Sequence, residues 1–306
     1  MAISARPISA ARPIPPDAAR RSSMLSGRTW SYARRQRRKP ERRHCDMAGP
    51  RPDPREFKAR LKARDPMIGT FMKVPAPQNT EVLGLDGFDF VILDEEHAPW
   101  HRGTLDTALL ATRAYGIAGI VRIARPDANS VLSVLDDGAI GIMVPHVDSA
   151  EKARAIISYA RYRGGVRGAG ASRGGEYGKR GGANYQYCDE TSVVIAMIED
   201  ARALDRIDEI VAVEGLDAIF LGRGDLALSL GNAGPGAPTI EEAVATIVAA
   251  CGKAGVPVAA LTQSLTSDEG RYVLGLGVKC LVVASDLGFL RQAAGAALRE
   301  FKTMEI

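Results

Sequence analysis

Ionisable side chains stand directly after short apolar runs at several points in this 306-residue chain. FDFVILD leads into Asp94, Glu95, Glu96 and His97; AGIV leads into Arg122; VVIAMI leads into Glu199; DAIFLG is followed by Asp225; CLVVA leads into Ser285 and Asp286. If those runs are strands of one barrel, side chains at their carboxyl ends converge on one pocket. Glu199 and Asp225 carry the clearest chemistry. With no Cys or His beside them, the two carboxylates form an oxygen-only donor set that suits a hard cation, Mg2+ or Mn2+, better than zinc. Two protein ligands leave most of an octahedron open, so a 2-oxo acid would chelate through its carboxylate and keto oxygen and its enolate would be stabilised. The alternative is a salt-bridged pair of acids with no such role. His97 is one of four histidines and has the pKa range of a general base, although a strand-end histidine also serves structure. Arg122 offers a fixed positive fork to a carboxylate or a developing oxyanion. Arg125, just before Pro126, reads as a solvated loop charge, and Glu96 as a supporting or surface acid.

Such residues need a scaffold that aligns strand ends. From about residue 55, β-branched apolar runs alternate with longer helical stretches, the pattern of βα units on a parallel sheet. Eight runs read as strands: 67–71, 88–94, 118–122, 140–145, 193–199, 217–222, 256–261 and 280–285. Eight is the number that closes a (β/α)8, or TIM, barrel, so the expected fold class is α/β with that architecture. Asp148 with Glu151, and Thr239 with Glu242, have the spacing of capping boxes that start helices. Leu204, Ile207, Ile210 and Val211 recur at helical spacing and are expected to face the barrel. The glycine- and arginine-rich stretch 162–187 fits neither period and is expected to be a mobile loop over one end, a candidate lid. It lacks the Lys-Ser/Thr ending of a phosphate-binding P-loop.

Composition sets the outer bounds. A hydrophobic share of 46% and a charged share of 25% are those of an ordinary globular protein and exclude a collagen-like, disordered or disulfide-scaffold chain. No apolar run reaches the length that crosses a bilayer. The formal charge of +4 combines two unlike pieces. Residues 1–50 hold 12 Lys and Arg against 3 Asp and Glu, leaving 28 against 33 in the body. Residues 1–50 therefore read as a disordered basic tail, and residues 51–306 as a single catalytic domain. The tail admits three readings: a targeting presequence, a nucleic-acid-binding arm built on Arg34 to Arg43, or upstream sequence before a start at Met47, which is favoured. Cys45, Cys188, Cys251 and Cys280 are too scattered for a zinc knuckle and fit a reducing compartment, so a cytoplasmic protein is expected.

Taken in order, FDFVILDEEHAPW, VRIARP, LDDGAIGIMVPHVDSAEKA, YRGGVRGAG, MIEDARALDRIDEIVAVEGLDAIFLGRGDLALSLG and VVASD resemble the HpcH/HpaI family of class II pyruvate aldolases, over about residues 56 to 301. The resemblance implies a barrel of the phosphoenolpyruvate/pyruvate type, divalent-metal dependence, a homo-oligomer (trimer or hexamer), and reversible cleavage of a 4-hydroxy-2-oxo acid to pyruvate and an aldehyde. It implies Glu199 and Asp225 as metal ligands, Arg122 as the enolate-stabilising arginine, and His97 with Asp136 as a base dyad. Asp94 and Glu96 match the family's D-x-E-H signature, and with Met197, Arg223 and Gly224 they are expected at the substrate. Asp136 must reach His97 across the pocket or from another subunit.

Two departures bear on substrate. Met197 stands where those aldolases usually carry Gln, and Gly222-Arg223-Gly224-Asp225 stands where they read G-P-A-D. Losing an amide removes a hydrogen-bonding group, while Arg223 either meets a second carboxylate on the substrate or points to solvent. His146, where the family is often apolar, is a further candidate for substrate contact. Two rival readings follow: condensation of oxaloacetate with acetyl-CoA on the same fold, and a non-catalytic barrel that binds a small oxo acid. No membrane partner is expected, and a nucleic-acid role would rest wholly on the tail.

Overall fold

The computed structural model describes residues 53–304; the tail over residues 1–50 lies outside the described residues. Eight parallel strands form a closed barrel in chain order: β1 Met67–Met72, β2 Phe90–Asp94, β3 Ala118–Arg122, β4 Gly141–Val144, β5 Val193–Ile198, β6 Ala218–Leu221, β7 Val258–Thr262 and β8 Cys280–Ser285, which pairs back onto β1. The architecture is the expected (β/α)8 barrel. Around it lie α1 Pro54–Ala63, α2 Pro77–Leu85, α3 Arg102–Tyr115, α4 Ala128–Asp136, α5 Ala150–Ala160, α6 Asn184–Thr191, α7 Ile207–Val211, α8 Arg223–Asn232, α9 Ile240–Ala254, α10 Asp268–Gly275 and α11 Asp286–Thr303.

Local chemistry explains where these helices start. Thr239 and Glu242 form the expected capping box of α9. The cap of α5 is a correction: Ser149, not Asp148, accepts the Lys152 N–H, and Asp148 pairs with Arg202 at 2.5 Å. Ser149 has the shorter side chain, and its hydroxyl already sits beside the free N–H groups of the first turn. Ile207, Ile210 and Val211 of α7 are buried, as their spacing implied. Leu204 belongs to a 3-10 turn over Ala201–Arg206 and packs on the same core.

The stretch 162–187 departs from expectation. It links α5 to β5, so it lies at the amino-terminal end of the barrel, opposite the strand ends that carry the candidate site. It holds two 3-10 turns and the start of α6. Its arginines bind backward onto the closed end: Arg167 Nη2 donates to Asp136 at 2.8 Å, and Arg173 Nη1 donates to the Asp137 carbonyl at 2.7 Å. It is no lid over the site.

The two-residue period of the strands decides what enters the barrel. Phe90 and Ile92, Ala118 and Ile120, Val193, Ile195 and Met197, and Ala218 and Phe220 fill the interior. Val91, Leu93, Val121, Val194 and Ile198 point outward to the helices. Phe57 and Leu61 of α1 close the amino-terminal end, Phe57 meeting Phe90 edge-on at 5.8 Å. Continuing the inward series past the apolar residues puts Lys73, Asp94, Arg122 and Glu199 at the opposite mouth.

Gly69, an inward position of β1, leaves room for the Phe90 ring: a Cβ there would lie 2.3 Å from it. Gly69→Ala is expected to force that ring aside and cost about 1–3 kcal/mol, read as a lower urea midpoint. A midpoint equal to that of the wild type would show that the interior gives way freely.

Candidate active site

β2 and β3 meet in register with Asp94 opposite Arg122. Both are inward and buried, Asp94 at 0% and Arg122 at 6% exposure. Arg122 Nε and Nη2 each donate to the Asp94 carboxylate at 2.7 Å, the bidentate geometry that gives the strongest charge-assisted bonds. Lys73 Nζ donates to the same carboxylate, and the His97 N–H adds a bond at 3.2 Å. Burial alone would push the Asp94 carboxyl up, but the Arg122 and Lys73 bonds and charges outweigh it and hold Asp94 below its usual 3.8. The Phe71 ring lies 4.8 Å from the Arg122 guanidinium carbon and edge-on to Phe220 at 5.9 Å, giving the site an aromatic floor.

Glu96 ties the β2 end to the next strands. Its carboxylate lies 3.3 Å from Arg122 Nη1, 3.7 Å from His97 Nε2 and 3.9 Å from His146 Nε2. His97 is more than half exposed at the rim. His146, just past β4, holds φ at +56°, a left-handed conformation uncommon for a side chain of this size. That turn aims its N–H at Glu199 Oε1, 2.8 Å away, while its ring pairs with Asp200 at 3.2 Å. His146 therefore positions Glu199.

Glu199, one residue past β5, is 2% exposed. Burial pushes its carboxyl above the usual 4.5; the His146 N–H and ring oppose that, and the charges of Glu96 and Asp225 reinforce it. Gly222 packs directly against it, since a Cβ at position 222 would fall 2.5 Å from Glu199 Oε2. The chain then turns at once into α8, which carries Arg223, Gly224 and Asp225 in its first turn. Glu199 and Asp225 line one cavity of about 400 Å3 together with His97, Arg122, Met197, Arg223 and Gly224. A buried carboxylate raised by acidic neighbours is an arrangement that a divalent cation relieves. Among the described residues no three His, Cys, Asp or Glu side chains converge as a metal-binding group.

The fold thus gathers Asp94, Glu96, His97, Arg122, His146, Met197, Glu199, Arg223, Gly224 and Asp225. Asp136 stands apart. It ends α4 at the closed end of the barrel, where Arg167 at 2.8 Å and Ser172 at 3.1 Å bind it. Arg223 does not point to solvent: its Nη1 donates to Glu269 at 2.8 Å. Asp286 serves the wall rather than the cavity, accepting from the Lys73 and Val74 N–H groups and from Asn79. Sequence reasoning missed Lys73, whose signal was its place just after β1, and Glu269 and Gln263, which follow β7.

Residues 67–293 match the family model described as HpcH/HpaI aldolase/citrate lyase. The chain belongs to that family. It is a carbon–carbon lyase by class. A 5-keto-4-deoxy-D-glucarate aldolase of Klebsiella pneumoniae is 34% identical over 251 residues, 81% of this chain and 97% of that one. An HpcH/HpaI aldolase/citrate lyase family structure from Burkholderia cenocepacia superposes with a TM-score of 0.76 at 28% identity, covering 81% of this chain and all of that one. The citrate synthase SbnG does so at 0.70 and 31%, covering 80% and 97%.

Asp94→Asn keeps the shape but leaves Arg122 and Lys73 without their anion, and is expected to cost about 3 kcal/mol near neutrality. Because the folded-state value is depressed, the wild-type advantage is full above 3.8 and shrinks as the pH falls through the lower value. Urea midpoints of both proteins from about pH 6 to about pH 3 measure this, and a gap that widens on acidification would contradict it.

Proposed function

We propose that the cavity holds Mg2+ or Mn2+ between Glu199 and Asp225 and performs the reversible aldol cleavage of a 4-hydroxy-2-oxo acid to pyruvate and an aldehyde. The carrying observation is Glu199: a buried carboxylate with a second one on the neighbouring unit of the same cavity, beside a cationic wall of Arg122 and Lys73. When bound, the cation supplies the positive charge that makes the C3 protons of a 2-oxo acid removable.

The chain's own residues supply the rest. Arg122, fixed by Asp94, turns its remaining nitrogen toward Glu96 and the cavity, where it stabilises the oxyanion that grows on the substrate C2 oxygen. His97 takes the proton of the C4 hydroxyl. The C3–C4 bond then breaks, its electron pair passing into the enolate, and a proton returned to C3 gives pyruvate. Asp136 supports His97 only if a second copy of the chain brings it there, so this reading includes a homo-oligomer, trimer or hexamer. The aldolase named above as a relative acts on 5-keto-4-deoxy-D-glucarate, which supports a sugar-acid-derived substrate. Among the described residues Cys188, Cys251 and Cys280 are free and buried, which supports a reducing, cytoplasmic setting for a single catalytic domain over residues 51–306.

Glu199→Gln is expected to lower metal-dependent pyruvate release by about 100-fold or more with the unfolding midpoint retained. Full activity in that variant would end the assignment. The likeness to citrate synthase SbnG, together with Met197 and Arg223, favours condensation of oxaloacetate with acetyl-CoA as a second reading. Thiol release from acetyl-CoA, measured beside pyruvate release, separates them: pyruvate release alone is expected.

A further inference from the structure

Lys73 stands one residue past β1 and lines the same cavity as Glu199 and Asp225. In a closed ring of eight strands β1 lies opposite β5, so a cation faces the proposed metal ligands across the mouth. That cation is held in place from several sides. The Lys73 backbone N–H donates to Asp286 at 2.8 Å, Nζ donates to Asp94, and Nζ lies 5.6 Å from the centre of the Phe71 ring. The side chain is nevertheless 25% exposed, so its charge is felt inside the cavity.

Without Lys73 the wall built by β2 and β3 carries an excess of negative charge. Arg122 meets two carboxylates there, Asp94 through two bonds of 2.7 Å and Glu96 at 3.3 Å. Elsewhere around the cavity the charges pair off. Arg223 meets Glu269 at 2.8 Å, and Glu199 with Asp225 matches the divalent cation of the proposed function. Asp286, behind β1, accepts the Lys73, Val74 and Leu287 N–H groups at the start of α11, where the helix dipole offsets its charge. Lys73 therefore supplies the positive charge that brings the β2–β3 wall to neutrality. A 2-oxo acid enters as an anion and gathers more negative charge on its C2 oxygen as the enolate forms. Across a cavity of about 400 Å3, one unit charge is worth about tenfold or more in the affinity for such an anion.

We infer that Lys73 sets the charge of the cavity, admitting the anionic 2-oxo acid and easing formation of its enolate, and is more than a brace for Asp94. This rests on the aldolase reading proposed above and adds to it a specificity-determining residue outside the metal and base groups. A brace needs only a hydrogen bond to Asp94, whereas this role needs the charge.

The test separates those two requirements. Lys73→Gln keeps an N–H for Asp94 and removes the charge; Lys73→Arg keeps both. Each full-length protein is assayed for metal-dependent exchange of the pyruvate methyl protons in D2O by NMR, and for Mn2+ binding without substrate by electron paramagnetic resonance. Lys73→Gln is expected to lower kcat/KM for pyruvate exchange by about tenfold or more, mainly through KM. It is expected to bind Mn2+ no more weakly than the wild type, because a positive charge has left the cavity. Lys73→Arg is expected to keep the pyruvate KM within about threefold. Should Lys73→Gln fail to fold, the arginine variant carries the test, and a rise of about tenfold in its pyruvate KM overturns the inference. An unchanged pyruvate KM in Lys73→Gln, or a loss of Mn2+ binding that matches the loss of exchange, overturns it as well. In a wild type that exchanges pyruvate protons these outcomes reject this inference alone; absence of exchange in the wild type rejects the aldolase reading and this one with it.

Discussion

Asp94 has no water to stabilise its charge, and Arg122 on the next strand is buried almost as deeply. Each makes the other tolerable. Their meeting requires β2 and β3 to be in one register, because a slip of a single residue would turn one of them out among the helices. Lys73 joins from β1 on the same inward series. Three adjacent strands are thus locked at the mouth by one carboxylate, and the Arg122 nitrogen left over is aimed by that lock rather than by a flexible loop. Glu96 and His97 follow from the next residues of β2, and Glu199 repeats the inward rule across the barrel.

The second constraint is steric. Gly222 lies so close to Glu199 that no larger residue fits without moving the carboxylate, and α8 begins at once, leaving Asp225 no freedom to drift away. His146 accepts an uncommon backbone angle so that its N–H meets Glu199. Glu199 is therefore placed from both neighbouring units, by contacts that would remain if its charge were removed.

Much of this was legible in the chain. β-branched runs separated by helical stretches marked all eight strands, because a parallel sheet buried on both faces needs near-continuous apolar sequence. Strand-end position marked Asp94, His97, Arg122 and Glu199 because the barrel sends every strand end to one side. What stayed hidden depended on directions that spacing does not carry. Ser149 won the cap of α5 from Asp148 through local geometry alone. The glycine-rich stretch looked like a cover, yet it follows a helix rather than a strand, which sends it to the closed end. Arg223 gave no sign of whether it faced water, since its partner Glu269 lies one whole βα unit further on. Asp136 was tied to His97 only by resemblance, and a single barrel holds the two at opposite ends.

The longest irregular connection is thus spent on the closed floor, whereas the described connections that follow the strands on the open side are all shorter. The cavity walls at the mouth are therefore held by strand and helix ends rather than by a long connection.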